Sequence, residues 1–124
     1  MAFALGLDIG TKKTGVAFGE TDRKFVVALD TIYHTSEAEL RKKLLQIISD
    51  KKIELIVIGL PRLPGGAMGK QAQLVQALSK KIESDSNVRI QFVDERFTSQ
   101  GQAMGENDDT YAACSILNMA LDSH

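Results

Sequence analysis

Apolar positions in the first third of the chain fall in short runs separated by polar turns. Phe3 to Leu7 is almost wholly apolar and stops at Asp8, which predicts a buried strand. Gly15 to Gly19 predicts a second strand, and Lys24 to Ile32, with Val26, Val27, Ala28 and Leu29, a third. The polar stretch Glu20-Thr21-Asp22-Arg23 between them suits a hairpin turn, so the three strands should form an antiparallel meander. The period then changes. Ser36-Glu37-Ala38-Glu39 is a capping box, and Leu40, Leu44, Ile47 and Ile48 follow on one helical face to about Lys51.

Leu55 to Leu60 is the apolar run of a central strand covered on both faces. Pro61-Arg62-Leu63-Pro64-Gly65-Gly66 reads as a loop. Lys70 to Ser84 predicts a second helix with Leu74, Leu78 and Ile82 as its stripe. Arg89 to Val93 is the fifth strand and delivers Asp94 and Glu95 at its end. Asp109 to Asp122 is a third helix, with Ala112-Ala113, Ile116-Leu117 and Ala120-Leu121 facing inward. Three strands, then helix, strand, helix, strand, helix imply an α/β protein with a mixed five-stranded sheet and helices on both faces.

Composition narrows the class. The 124 residues fit one domain and can bury a substantial core without staples. The lone Cys114 cannot form an internal disulfide, which suits a reducing compartment. No apolar run approaches the length needed to span a bilayer, and the first residues lack the basic region of a secretory signal, so a cytoplasmic protein with no membrane partner is expected. Fifteen basic and sixteen acidic residues give a net charge of −1, too little for grip on nucleic acid by bulk charge alone. The lysines and arginines instead cluster, as Lys12-Lys13, Arg41-Lys42-Lys43, Lys51-Lys52 and Lys80-Lys81. For any one cluster a solvated helix face or end is the plain explanation.

Three acidic features have the makings of chemistry, each with an ordinary alternative. Asp8 could be a turn residue, but Gly10-Thr11-Lys12-Lys13-Thr14-Gly15 follows it, with glycines that permit close backbone approach and lysines that supply countercharge. Asp94-Glu95-Arg96 ends a strand where open α/β sheets place ligands, and alternation sends the two carboxylates to opposite faces; a solvated ion pair with Arg96 is the alternative. Asp108-Asp109 opens the last helix, where acidic residues commonly serve as caps. Carboxylates gathered at one end of a sheet repel unless a cation lies among them. Hard oxygen donors without a Cys/His cluster favour Mg²⁺ or Mn²⁺ over zinc. His34 follows an edge-strand pattern and His124 is the last residue; neither is placed for catalysis.

Four stretches resemble motifs of the YqgF family, ribonuclease H-like bacterial proteins associated with Holliday junction resolution and pre-16S rRNA processing. They are Leu5 to Ala17, Val57-Ile58-Gly59-Leu60-Pro61 with Gly65-Gly66 after it, Val93 to Ser99, and Asp109-Thr110-Tyr111-Ala112-Ala113. The resemblance covers nearly the whole chain and implies a single ribonuclease H-like domain over residues 1–124. It implies that Asp8, Glu95 and Asp109 are catalytic carboxylates binding Mg²⁺ or Mn²⁺, with Asp94 and Asp108 as the less favoured substitutes. It further implies that Lys12, Lys13, Arg62 and Arg96 face phosphates, with Thr98 a polar neighbour. Only thirteen residues, Arg96 to Asp108, separate Glu95 from Asp109, fewer than the family usually carries there.

The function expected is a metal-dependent endonuclease acting on structured nucleic acid, either an rRNA precursor at the ribosome or branched DNA, as a monomer or homodimer. A non-catalytic nucleic-acid or ribosome-associated module on the same fold is the alternative. A nucleotide-binding relative of the actin and sugar-kinase group, whose first phosphate loop also reads Asp-x-Gly-Thr, is a third.

Overall fold

The computed structural model describes residues 2–23, 25–60, 69–94 and 108–122, with side chains from Ala112 onward in the last stretch. Strands β1 (Phe3–Ile9), β2 (Lys13–Glu20), β3 (Val26–Ala28) and β4 (Ile32–Tyr33) lead into helix α1 (Glu37–Lys51). Strand β5 (Ile53–Leu60), helix α2 (Lys70–Ser86), strand β6 (Arg89–Asp94) and helix α3 (Asp108–Asp122) follow. The sheet order is β3-β2-β1-β5-β6, with β4 also paired to β2. β1 runs antiparallel to β2 and parallel to β5, and β5 runs parallel to β6. This is the mixed sheet expected, with one difference. The predicted third strand over Lys24 to Ile32 is two short strands that both pair with β2.

Alternation along β1 divides the core in two. Leu5, Leu7 and Ile9 pack with Leu40, Leu44 and Ile48 of α1 and Val75, Leu78 and Ile82 of α2. On the other face Ala4, Ala17, Leu55 and Val57 meet Ala113, Ile116, Leu117, Ala120 and Leu121 of α3. The α2 stripe is displaced from the expected one: Leu74 is 58% exposed, while Ala72, Val75 and Ser79 are buried with Leu78 and Ile82. Helix geometry allows either set, and the tilt of α2 on the sheet selects the second.

The capping box forms in an altered version. Ser36 Oγ accepts from Glu39 N–H at 3.1 Å, but Glu39 Oε1 reaches one residue further back, accepting from the Thr35 N–H at 2.8 Å. That backbone donor, then Lys43, pull the Glu39 carboxyl down to about 2. In the basic clusters of the helices Arg41, Lys43 and Lys81 form ion pairs: Arg41 and Lys81 with Glu37, Arg41 with Asp85, and Lys43 with Glu39. No helix among the described residues is long and apolar enough to cross a membrane.

Candidate functional site

The chemistry-bearing end of the sheet is where β1, β5 and β6 finish together. Asp8, second to last in β1, shares its face with Ala4 and Gly6 by alternation, so it lies on the α3 side. Its partner across the antiparallel pair is Gly15, which places no side chain beside it. Gly15 is therefore part of β2, not of a loop: the turn between strands is only Gly10-Thr11-Lys12. Gly10 N–H donates to Lys13 O at 2.9 Å, and a Cβ at Gly10 would sit 2.6 Å from that same oxygen. His34 N–H donates to Lys12 O at 2.9 Å and pins the turn from the far side. Gln71 of α2 donates its side-chain N–H to Ile9 O at 3.2 Å. Thr11, Lys12 and Lys13 remain exposed at the rim.

Helix α3 packs against β1 with its start toward the Asp8 end. A Cβ at Gly6 would lie 2.6 Å from Ala113 O and 2.7 Å from Leu117 Cβ, so the helix backbone rests almost directly on β1. At Gly19, whose register partner is Ala4, the neighbours are Leu117 and Leu121. The helix thus runs opposite to β1. Four residues back from Ala113 is Asp109, about 6 Å along the helix axis. Two residues on from Gly6 is Asp8, about 6.6 Å along the strand. Both steps lead toward the same end of the sheet, so α3 begins at the Asp8 end of β1, on the face that Asp8 occupies.

Asp94 ends β6 opposite Leu60. Val93 packs with the α3-side cluster and Ile90 with the α1/α2-side cluster, so alternation turns Asp94 away from the face that Asp8 occupies. Glu95, Arg62, Arg96, Thr98 and His124 lie outside the described residues, as do the side chains of Asp108 and Asp109. Among the described residues no three His, Cys, Asp or Glu side chains gather in a metal-holding group. Asp8 and the acidic start of α3 belong to this end of the sheet, and carboxylate oxygens are the donors that Mg²⁺ and Mn²⁺ take.

Sequence reasoning set His34 aside and did not single out Tyr33. His34 is only 6% exposed, its ring Nε2 2.9 Å from Thr14 Oγ1, and its Nδ1 is without a hydrogen-bond partner. Burial pushes its pKa down, with Lys43 acting in the same direction and Glu39 opposing. The available signal was its position two residues after Ile32, on the same inward face. Tyr33 between them is 67% exposed. Cys114 is half-buried and its thiol is pushed up by burial, which makes it a poor nucleophile. A cavity of about 250 Å³ lined by Ile9, Leu40, Leu74, Val75 and Leu78 lies between α1 and α2, on the face away from Asp8.

Comparison with known proteins identifies a family and a fold. A family described as "RuvX: Holliday junction resolvase" matches residues 2–123. A relative from Rippkaea orientalis named "Putative pre-16S rRNA nuclease" is 36% identical over 132 positions, covering 97% of this chain and 95% of the relative. That alignment is longer than the 124 residues of this chain, so the relative carries inserted residues. A protein of the same name from Acaryochloris marina is 38% identical over 96 residues, covering 77% of this chain and 67% of the relative. Among solved structures, T. thermophilus RuvC in complex with Holliday junction substrate superposes with a TM-score of 0.74 at 9% identity, covering 99% of this chain and 95% of that one. Fowlpox virus resolvase with junction DNA gives 0.64 at 9% identity, covering 98% and 97%. At such identities the structural likeness establishes a shared ribonuclease H-like fold.

Proposed function

The chain belongs to the RuvX family of Holliday junction resolvases, and from that premise we propose that its Asp8 end is a divalent-metal-dependent endonuclease site for structured nucleic acid. As a member of that family it is a nuclease. The observation that supports the site is that Asp8 and the start of α3, from opposite ends of the chain, come to the same end and face of the sheet, where Gly15 places no side chain beside Asp8. Asp8, Glu95 and Asp109 are the proposed ligand set and catalytic carboxylates. Asp94 is disfavoured because alternation sends it to the other face. Mg²⁺ or Mn²⁺ bound there supplies activation of water and charge neutralisation at the leaving oxygen.

The remaining roles belong to the chain itself. The turn Gly10-Thr11-Lys12 is held from three sides, so the Lys12 and Lys13 ammoniums meet phosphate with little loss of backbone freedom. Arg62, Arg96 and Thr98 are proposed to flank the same strand of nucleic acid. The names of the relatives favour precursor 16S rRNA as the substrate; its processing in the cytoplasm, at the ribosome, is part of the proposal. Branched DNA is the second reading, carried by the family description. Junction resolution needs two symmetric sites and therefore a homodimer, whereas trimming an rRNA end needs one site.

Cleavage of a precursor 16S rRNA fragment and of a four-way DNA junction, with Mg²⁺ or Mn²⁺, tests this reading. Asp8→Asn is expected to abolish cleavage while preserving fold, as seen by circular dichroism. Undiminished cutting by Asp8→Asn contradicts it.

A further inference from the structure

Tyr33 holds a large aromatic ring in solvent on a strand of only two residues, beside the turn proposed to meet phosphate. Its position on the sheet is fixed by register. Tyr33 pairs with Lys13 of β2, Lys13 lies two residues before Gly15 on the same face, and Gly15 pairs with Asp8. Tyr33, Lys13 and Asp8 therefore share one face, while Ile32 and Thr14 share the other with Ile9. Two strand spacings across and two residues along put Tyr33 and Asp8 about 12 Å apart at Cα.

The strand carrying the ring is secured. Lys43 Nζ donates to Tyr33 O at 3.0 Å, and the next residue, His34, donates its N–H to Lys12 O at 2.9 Å and sets its ring against Thr14. Tyr33 meanwhile borders an open recess with Thr11, Lys12, His34, Thr35 and Glu39. Two lysines flank it, Lys12 at the turn and Lys13 across the strand pair, while Lys43 at its own carbonyl is ion-paired with Glu39. A rigidly held, exposed aromatic flanked by lysines is the arrangement on which an unpaired base stacks while the backbone tracks the positive charge.

We propose that Tyr33 is a base-stacking platform that receives an unpaired nucleotide near the strand held at Asp8, with Lys13 on the intervening phosphate. The assignment rests on the nuclease reading of the Asp8 end and adds to it a preference for substrates with unpaired bases beside the cut. It makes Tyr33 a positioning residue.

The experiment uses the full chain in the Asp8→Asn background, which should bind without cutting, and single-stranded RNA and DNA oligonucleotides carrying 2-aminopurine. Tyr33→Ala is expected to weaken binding about 10- to 100-fold and to abolish the stacking-induced quenching of 2-aminopurine, whereas Tyr33→Phe keeps both within about twofold. In the cutting-competent chain, Tyr33→Ala should raise KM far more than it lowers kcat. A parent that binds and cuts while Tyr33→Ala binds equally well overturns the stacking assignment alone. Equal weakening by Tyr33→Phe assigns the effect to the hydroxyl and also overturns it. A parent that neither binds nor cuts overturns the nuclease reading and this inference with it.

Discussion

Replacing Gly6 by Ala tests the packing that carries α3 to Asp8. The added Cβ would stand 2.6 Å from Ala113 O and 2.7 Å from Leu117 Cβ. Ordinary contact begins near 3.4 Å, so the helix must lift by about 0.8 Å, because a backbone carbonyl cannot swing aside as a flexible side chain can. A gap of that size forfeits a quarter to a half of the dispersion energy along the contact. Overpacking of this kind costs about 1–3 kcal/mol. An unfolding entropy near 2.1 cal/mol/K per residue makes each kcal/mol worth about 4 °C in a chain of this length, so Gly6→Ala should melt about 4–12 °C below the parent. The same lift moves the first turn of α3 away from Asp8, and a misplacement near 1 Å costs about 100-fold in rate. Calorimetry and a cleavage assay at a temperature where both proteins are folded give the two readings. A Gly6→Ala protein that melts with the parent and cuts at the parental rate refutes the close approach and the helix placement drawn from it.

Ser36→Ala removes the α1 cap and should lower stability by about 1 kcal/mol, read by denaturant melting, with cleavage unchanged. Thr14→Val leaves the buried His34 ring without its partner and should cost about 1–3 kcal/mol in the same melt. Burial holds the His34 pKa below the ordinary 6.5, so the unfolded chain takes up the proton first; the stability that the neutral ring provides is full above about pH 6.5 and declines as pH falls toward the depressed folded value. His34→Gln should flatten the slope of stability against pH across that window, and an unchanged slope would assign it to other groups.

Much of the fold could be read from the sequence because period and punctuation agreed. The apolar run of β5 marked a strand covered on both faces, and Ser36 with Glu39 marked the start of α1 within one residue. Where pairing partners decide, the pattern was insufficient. Asp8 and Ile9 continue β1, and Lys13 opens β2, because Thr14 pairs with Ile9 on one side and Ile32 on the other. Residues 24–32 carry a continuous β-prone pattern, yet they pair with β2 in two separate places. Leu74 lies four residues before Leu78 and Val75 three, both helical spacings, and only the seat of α2 separates them. Of the candidate site, the carboxylate at Asp8 and the acidic start of α3 were legible as motifs. That α3 starts at the same end and face as Asp8 was not, because it depends on α3 resting on Gly6. Tyr33 and His34 were illegible as a pair, since their opposite exposures follow from a two-residue strand that no periodicity can mark.

The central claim is that Asp8 and the start of α3 hold one divalent ion between them. Anomalous diffraction from crystals soaked in Mn²⁺ reads this directly. The account predicts a peak about 2.0–2.2 Å from an Asp8 carboxylate oxygen and from a carboxylate in the first turn of α3, lost in Asp8→Asn. A peak elsewhere, or Mn²⁺ that remains in place in Asp8→Asn, would contradict it.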